Sequence, residues 1–168
     1  MDPRLLRIYL NDELFLGIAG RELARRSQRA NAGTALGDHL ERLAGEIAED
    51  VATLERVMQR LGVPRSQLKR TLGIVGERVG RVKLNGRLRS YSPLSRLWEL
   101  EALALGLDGK RLLWSNLRDG TDAPARAPEV DLGGLIERAE RQRAELEPFR
   151  ADAARKAFAE PTPRAAAR

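Results

Sequence analysis

Apolar residues recur every three or four positions along most of this chain, which is the spacing of an amphipathic α-helix. The first apolar stripe begins at Leu6 and lies within residues 3–29. The second stripe begins at Leu36 and ends at Leu61. Only a few residues separate the two predicted helices, and both stripes need an apolar partner. We therefore expect these helices to lie antiparallel.

Residues that favour helix ends stand at the borders of the apolar stripes. Asp2-Pro3 and Ser92-Pro93 each combine an N-cap residue with a proline at the first helical position. Thr34 and Asp131 are further N-cap candidates. Gly62 favours the left-handed conformation that ends a helix. These signals predict where four helices begin and where one of them ends.

The second half of the chain predicts three more helices. Residues 66–82 carry a heptad-like apolar seam. Residues 93–118 are apolar nearly all round and should form the most buried element, with Asp108-Gly109 as a candidate interruption. Residues 131–158 form the last helix, which Pro148 should kink or divide.

Together these elements predict an all-α fold without strands. The predicted organisation is a helical bundle domain over residues 1–119, a linker over 120–130, a C-terminal helix over 131–158 and a disordered tail over 159–168. The apolar positions of the last helix include a seam with seven-residue spacing. Such a seam permits packing on the same bundle or on another subunit.

The composition excludes several kinds of site. The chain has 168 residues, no cysteine and one histidine, His39. Disulfides, thiolate metal sites, thiol catalysis and any site with two imidazoles from one chain are therefore excluded. No apolar run approaches the ~20 residues of a membrane span, and the first residues lack the order of a signal peptide. We therefore expect a cytoplasmic protein with no membrane span.

Basic side chains are concentrated in one stretch of the chain. Residues 65–96 contain nine basic side chains against a single acid, Glu77. The candidate anion-binding residues are Arg78, Arg81, Lys83, Arg87 and Arg89. Contacts from such residues to phosphates would strengthen the binding of a nucleic acid or another polyanion. The alternative is a solvated basic face, or arginines that fold onto the acidic face of the second helix.

Two segments resemble an uncharacterised family of bacterial helical proteins that is left as hypothetical or assigned as ferritin-like. They are LNDELFLGIAGRELARR at residues 10–26 and KLNGRLRSYSPLSRLWELEAL at residues 83–103. Two long helices, a longer connection and then more long helices also resemble the order of the ferritin-like four-helix bundles. The resemblance implies a ferritin-like antiparallel helical bundle with an additional C-terminal helix, and it implies very little about activity.

The iron ligands of the ferritin-like class are missing from this sequence. Di-iron members carry a Glu-x-x-His pair on two helices, a spacing that places both ligands on one helix face. His39 is the only histidine, and Leu36 stands where its glutamate would be. We therefore expect no standard di-iron centre, no cofactor and no resident metal.

Four carboxylates remain as buried polar candidates. They are Glu13, Asp50, Glu77 and Glu101. If the first hairpin turns near residue 32 or 33, Glu13 and Asp50 lie at nearly the same height, and the other two could approach from later helices. Oxygen ligands alone would suit magnesium, calcium or manganese. The interpretation that we favour is that these acids pair with arginines inside the bundle, with Arg78, Arg81 and Arg87 as candidate partners.

Our leading hypothesis is a non-catalytic scaffold or interaction protein that self-associates through an apolar helix face. A protein partner or a second copy is therefore expected. The alternatives are polyanion binding through residues 65–96 and a carboxylate-only metal site. We expect His39 to lie at the surface, and we expect Trp98 and Trp114 to lie in the core or in an interface rather than against a ligand.

Overall fold

Helices account for most of the described chain. The structure is a computed structural model that describes residues 2–66 and 92–159. Its helices are α1 (Pro3–Ala30), α2 (Ala35–Arg60), α3 (Pro93–Gly120), the short α4 (Ala123–Arg126) and α5 (Leu132–Phe158). No strand occurs in these two stretches. The prediction of an all-α fold is confirmed.

The long helices begin where the capping residues predict. The Asp2 carboxylate accepts hydrogen bonds from the backbone N–H groups of Arg4 and Leu5. Thr34, Ser92 and Asp131 cap α2, α3 and α5 in the same way. These bonds satisfy backbone donors that have no partner within the helix. After α2, Gly62 takes a φ of +71°, a conformation that glycine adopts without steric cost.

The directions of α1, α2 and α3 follow from contacts between their ends. The amide of Asn11, near the start of α1, donates to the carbonyl of Pro64 just beyond the end of α2. Tyr9, in the same part of α1, contacts Asn116 near the end of α3. Ser27, near the end of α1, contacts Glu99 near the start of α3. Helix α1 is therefore antiparallel to both α2 and α3.

Helix α5 completes a bundle of four long helices. It runs antiparallel to α3, because Gln142 meets Lys110 whereas Arg150 faces Glu101. It also runs antiparallel to α2, because Glu129, just before α5, pairs with Arg60 at the end of α2, whereas Gln142 meets Glu46. Each long helix is thus antiparallel to its neighbours, and α2 and α3 are parallel and diagonally opposite. Residues 61–92 connect the end of α2 to the start of α3 at the other end of the bundle.

The core lies between the four long helices. Its largest fully buried apolar side chains are Leu10, Leu40, Leu43, Val57, Met58, Leu100, Trp114, Leu117 and Leu146. Burial of one such side chain contributes about 1.5–3 kcal/mol, so these positions dominate the stability of the bundle. None of the described helices has both the length and the apolar character that a membrane crossing requires.

The C-terminal part differs from the sequence prediction. The predicted linker contains α4, and Ala123 and Ala127 at its ends are buried. Helix α5 packs along α3 and joins the same core, which is one of the two arrangements that its seven-residue seam permits. Pro148 does not divide α5, and α3 runs through Asp108-Gly109 without a break. Packing against neighbouring helices outweighs these local helix-breaking signals.

Helix α3 is buried on one face and exposed on the other, whereas its composition predicts burial nearly all round. Leu97, Leu100 and Leu107 are in the core, but Trp98 and Leu105 are exposed. The other predictions for the central part of the chain, a helix over 66–82 and an irregular connection over 83–92, lie almost entirely outside the described residues. The same is true of the predicted tail, of which only residue 159 is described.

The expectation that His39 lies at the surface is wrong. Its side chain is only 4% exposed, and its ring stacks on that of Phe149 with ring centroids 5.1 Å apart. The burial has a tertiary cause, because α5 covers the first turns of α2. Burial lowers the pKa of His39, and the nearby Arg42 acts in the same direction.

Candidate functional site

A cluster of polar side chains lies at mid-height in the bundle. Asp50 on α2 is 3% exposed, and Gln142 on α5 is 1% exposed. The ammonium of Lys110 on α3 lies 2.5 Å from Oδ2 of Asp50. It also donates a hydrogen bond to Oε1 of Gln142. The ammonium of Lys110 therefore links α3 to α2, its diagonal opposite, and to α5, its neighbour.

Side chains at the edge of the bundle complete this polar cluster. Nη1 of Arg138 lies 3.2 Å from the second oxygen of Asp50 and 3.0 Å from Glu49. The amide of Gln142 donates to Glu46. Both oxygens of Asp50 therefore have cationic partners, which is the condition under which a buried carboxylate is tolerated.

The protonation of Lys110 is set by two opposing effects. Burial lowers its pKa from the ordinary value, and the charge of Arg138 acts in the same direction. The carboxylate and the hydrogen bond of Asp50 act in the opposite direction, with a smaller contribution from Glu46. Removal of Asp50 would therefore leave burial and Arg138 to disfavour the ammonium.

A cavity of about 440 Å³ lies beside the polar cluster, between α1, α2 and α3. Its wall is mostly apolar and includes Leu23, Ile47, Leu113 and Trp114. The ionisable side chains that line it are Glu13, Asp50 and Lys110. Glu13 is half-buried, and burial raises its pKa, with the charge of Asp12 acting in the same direction.

The four carboxylate candidates have different positions. Glu13 and Asp50 line the same cavity. Glu101 is not part of that cavity wall and lies 3.9 Å from Arg150. Glu77 lies outside the described residues, as do the predicted arginine partners Arg78, Arg81 and Arg87. The cationic partners that the structure gives to Asp50 are Lys110 and Arg138.

The described ranges contain no group of three or more His, Cys, Asp or Glu side chains that could hold a metal ion. The anion-binding candidates Arg78, Arg81, Lys83, Arg87 and Arg89 all fall within residues 67–91, so polyanion binding stays a prediction. Arg65, at one end of the basic stretch, pairs with Glu55.

Lys110 and Gln142 are the two central residues that the sequence analysis misses. A signal for both is present in the helical spacing. Lys110 follows Leu103 and Leu107 at positions that face the same side of α3. Gln142 lies between Ala139 and Leu146 on the apolar seam of α5 in the same way. A polar residue at a core position of an apolar stripe indicates a buried polar contact.

A second buried carboxylate lies closer to one end of the bundle. Glu99 on α3 is 8% exposed. The hydroxyl of Ser27 donates to one of its oxygens at 2.5 Å, and Nη2 of Arg26 lies 2.8 Å from the other. This contact joins α1 to α3, and no sequence motif indicates it.

Exposed apolar side chains lie on both α1 and α3, and we call this set of residues the α1–α3 apolar surface. Its members are Leu5, Ile8 and Leu16 on α1, and Trp98, Leu105 and Leu112 on α3. Each of these side chains is about half exposed or more. Leu16 and Leu105 also line the cavity, so the cavity opens onto this surface.

Comparisons with known proteins add no relative: no protein-family model, curated protein or solved structure matches this chain. The resemblance to a bacterial ferritin-like family therefore stays a prediction from the sequence. The interpretation of function depends on the geometry of the described residues.

Proposed function

We propose that this chain is a non-catalytic scaffold protein that self-associates through the α1–α3 apolar surface. The observation that carries the proposal is the exposure of Trp98, Leu105 and Leu112, which are 51%, 72% and 50% exposed. These three residues follow one another at seven-residue intervals along α3. Seven-residue spacing is the repeat by which two helices pack side by side over several turns.

The exposed strip of α3 carries no charge over its length. Between the three large side chains lie Ala102, Gly106 and Gly109. Charged residues make up 32% of the chain, so an uncharged helix face of this length is unusual for an exposed surface. These small residues place no large or charged side chain between the three apolar ones.

A second copy of the chain is the partner that fits this strip. Leu105 lies midway between the two other large residues. In an antiparallel pair of α3 helices related by a two-fold axis, Trp98 of one copy would therefore meet Leu112 of the other. Such a patch is self-complementary, as an isologous dimer requires. Glu101 and Asp108 flank the strip, and each has an arginine of α5 as its partner.

The fold-level part of this proposal is a ferritin-like bundle without a metal centre. Antiparallel neighbours and a single long connection between the parallel helices α2 and α3 support that topology. Ferritin-like di-iron proteins project carboxylates and histidines into the bundle interior. Here Lys110 carries an ammonium to mid-height, where it pairs with Asp50. A positive charge at this place favours a salt bridge over a metal ion on Asp50.

The test is the molar mass in solution. We expect the 18.7 kDa chain to elute as a dimer in size-exclusion chromatography with light scattering. Trp98→Glu and Leu112→Glu place charges on the strip and should each give a monomer. Phe158→Glu is the matched control, because Phe158 is 74% exposed at the end of α5 and lies outside the strip. It should remain dimeric.

A wild-type protein that stays monomeric at a concentration of about 100 µM, where an interface of ordinary affinity would be saturated, contradicts the proposal. A dimer that persists in both Trp98→Glu and Leu112→Glu also contradicts it, because the interface would then lie elsewhere. Circular dichroism of each variant shows whether the helices are retained.

A further inference from the structure

The cavity between α1, α2 and α3 has the size and the wall of a small-molecule site. Its volume of about 440 Å³ falls within the ordinary range of ligand pockets, which are also mostly apolar. Glycines line it on two helices, at Gly17 and Gly20 on α1 and at Gly106 and Gly109 on α3. Glycine destabilises a helix by about 1 kcal/mol relative to alanine. The four glycines therefore lower helix stability and leave open space in the cavity.

The glycines leave real room rather than close helix contacts. A Cβ atom added at Gly20, Gly106 or Gly109 would meet no heavy atom within 4 Å. Gly17 differs, because a Cβ there would lie 3.0 Å from Val51. The open space therefore extends along α3 and the second half of α1.

The charges at the cavity wall are not balanced. Lys110 and Asp50 are paired with each other. The carboxylate of Glu13 has no ion-pair or hydrogen-bond partner within residues 2–66 and 92–159. A half-buried carboxylate beside an apolar space is therefore the group that a ligand can neutralise.

We propose that this cavity binds an alkyl or arylalkyl amine, with its ammonium on the Glu13 carboxylate and its apolar part between Leu23, Ile47 and Leu113. The proposal goes beyond self-association. Because Leu105, Gly106 and Gly109 belong to both the strip and the cavity wall, a dimer would narrow the cavity mouth, and the Trp98→Glu variant keeps the two tests separate. An amine complements the wall, because it supplies a positive charge and hydrogen-bond donors to Glu13. A fatty acid would place a further carboxylate beside Glu13 and Asp50. The ammonium in the cavity wall, Lys110, is already paired with Asp50.

Three probes of equal length separate these possibilities. Octylamine, octanol and octanoate share the apolar chain and differ in the charge of the head group. In calorimetric titrations at pH 7, we expect octylamine to bind at least tenfold more tightly than octanol, and octanoate to bind most weakly. Octanoate binding equal to that of octylamine would overturn the charge argument.

Substitutions in the wall test the location of the site. Glu13→Gln should lower the affinity for octylamine at least tenfold and leave octanol binding unchanged. Gly20→Leu fills the cavity and should abolish binding of both probes. Gly45→Leu is the matched control: Gly45 lies on the exposed side of α2, outside the cavity, and a Cβ there also meets nothing within 4 Å. It should bind octylamine like the wild type.

Failure of this proposal is distinguishable from failure of the proposed scaffold function. Trp98 lies on the α1–α3 apolar surface but does not line the cavity. Trp98→Glu should therefore lose the dimer and retain octylamine binding. Absence of octylamine binding to the wild-type protein at millimolar concentration, or unchanged binding in Gly20→Leu with its helices intact, overturns the ligand site.

Discussion

The ammonium of Lys110 on α3 lies 2.5 Å from the carboxylate of Asp50 on α2, across the diagonal of the bundle. The side chain of Lys110 is 12% exposed and that of Asp50 only 3%. Both charges are largely removed from solvent, so their mutual contact is a main source of their stabilisation. The pair joins two helices that are not neighbours, and it fixes their relative height.

Removal of one partner should therefore destabilise the fold strongly. Lys110→Met keeps the apolar stem and leaves Asp50 with Arg138 as its remaining cationic partner. Because Arg138 still compensates one oxygen of Asp50, we expect the free energy of unfolding to fall by about 3 kcal/mol, the lower end of the range for broken buried pairs. Urea denaturation at pH 7, followed by circular dichroism, measures this loss.

The control for that substitution is a lysine at the surface. Lys156 is 61% exposed and pairs with Asp152 on the same helix. Lys156→Met should change the free energy of unfolding by less than about 1 kcal/mol. The double variant Lys110→Met/Asp50→Asn should recover part of the loss, because no buried charge is then left uncompensated. A cost below about 1 kcal/mol for Lys110→Met would show that the pair contributes little.

The starts of the long helices could be predicted because their causes are local. An N-cap such as Asp2 or Ser92 bonds to backbone groups two or three residues away, and the following proline fixes its own φ. The pairing of helices is different, because it depends on residues far apart in the chain. Asp50 and Lys110 are 60 residues apart, and no local pattern relates them.

The role of α5 shows the same limit. The composition of residues 120–128 favours a linker, and a seven-residue seam permits packing on the same bundle or on another subunit. Only the contacts decide, and they place Gln142 against Lys110. The burial of His39 follows from that placement, because Phe149 on α5 covers its ring. The position of His39 in the first turns of α2 does not indicate that Phe149 packs on its ring.

The stability of the protein should depend on pH through His39. The pKa of this histidine is lowered below 6.5 in the folded protein, chiefly by burial. The unfolded chain therefore takes up a proton near pH 6.5, whereas the folded protein resists protonation. The free energy of unfolding should be constant above about pH 7 and fall as the pH drops from 6.5 towards the folded pKa, by at most about 1.4 kcal/mol per pH unit.

Urea denaturation between pH 7.5 and 5.5 tests this dependence. His39 is the only histidine, so its replacement isolates its contribution. His39→Phe retains an aromatic ring against Phe149 and cannot take up a proton. The slope in this range should therefore be much smaller in the variant. An equal slope in both proteins would show that His39 does not cause the dependence; Glu13, whose pKa is raised by burial, would act with the opposite sign.

The buried carboxylate of Glu99 should make Ser27 important for stability. The Ser27 hydroxyl is fully buried and donates to Glu99 at 2.5 Å. Ser27→Ala removes a hydrogen bond to a charged group, so we expect a loss of about 1.5–3 kcal/mol in the free energy of unfolding.

The matched control is Ser115→Ala. Ser115 donates to the Arg111 carbonyl within the same helix, so its loss should cost about 0.5–1 kcal/mol, the lower part of the range for a neutral hydrogen bond. Equal effects of the two substitutions would contradict a special role for the Glu99 contact.

Two glycines of α2 should respond in opposite directions to the same substitution. A Cβ at Gly37 would lie 2.3 Å from the backbone oxygen of Asn31, so Gly37→Ala must displace the turn between α1 and α2. At Gly45 a Cβ meets nothing within 4 Å, and Gly45→Ala should raise the free energy of unfolding by about 0.5–1 kcal/mol through helix propensity. Gly37→Ala should lower it despite the same gain in propensity. Thermal unfolding of the two variants, followed by circular dichroism, gives the sign of each effect. A stabilised Gly37→Ala variant would show that the turn relaxes without cost.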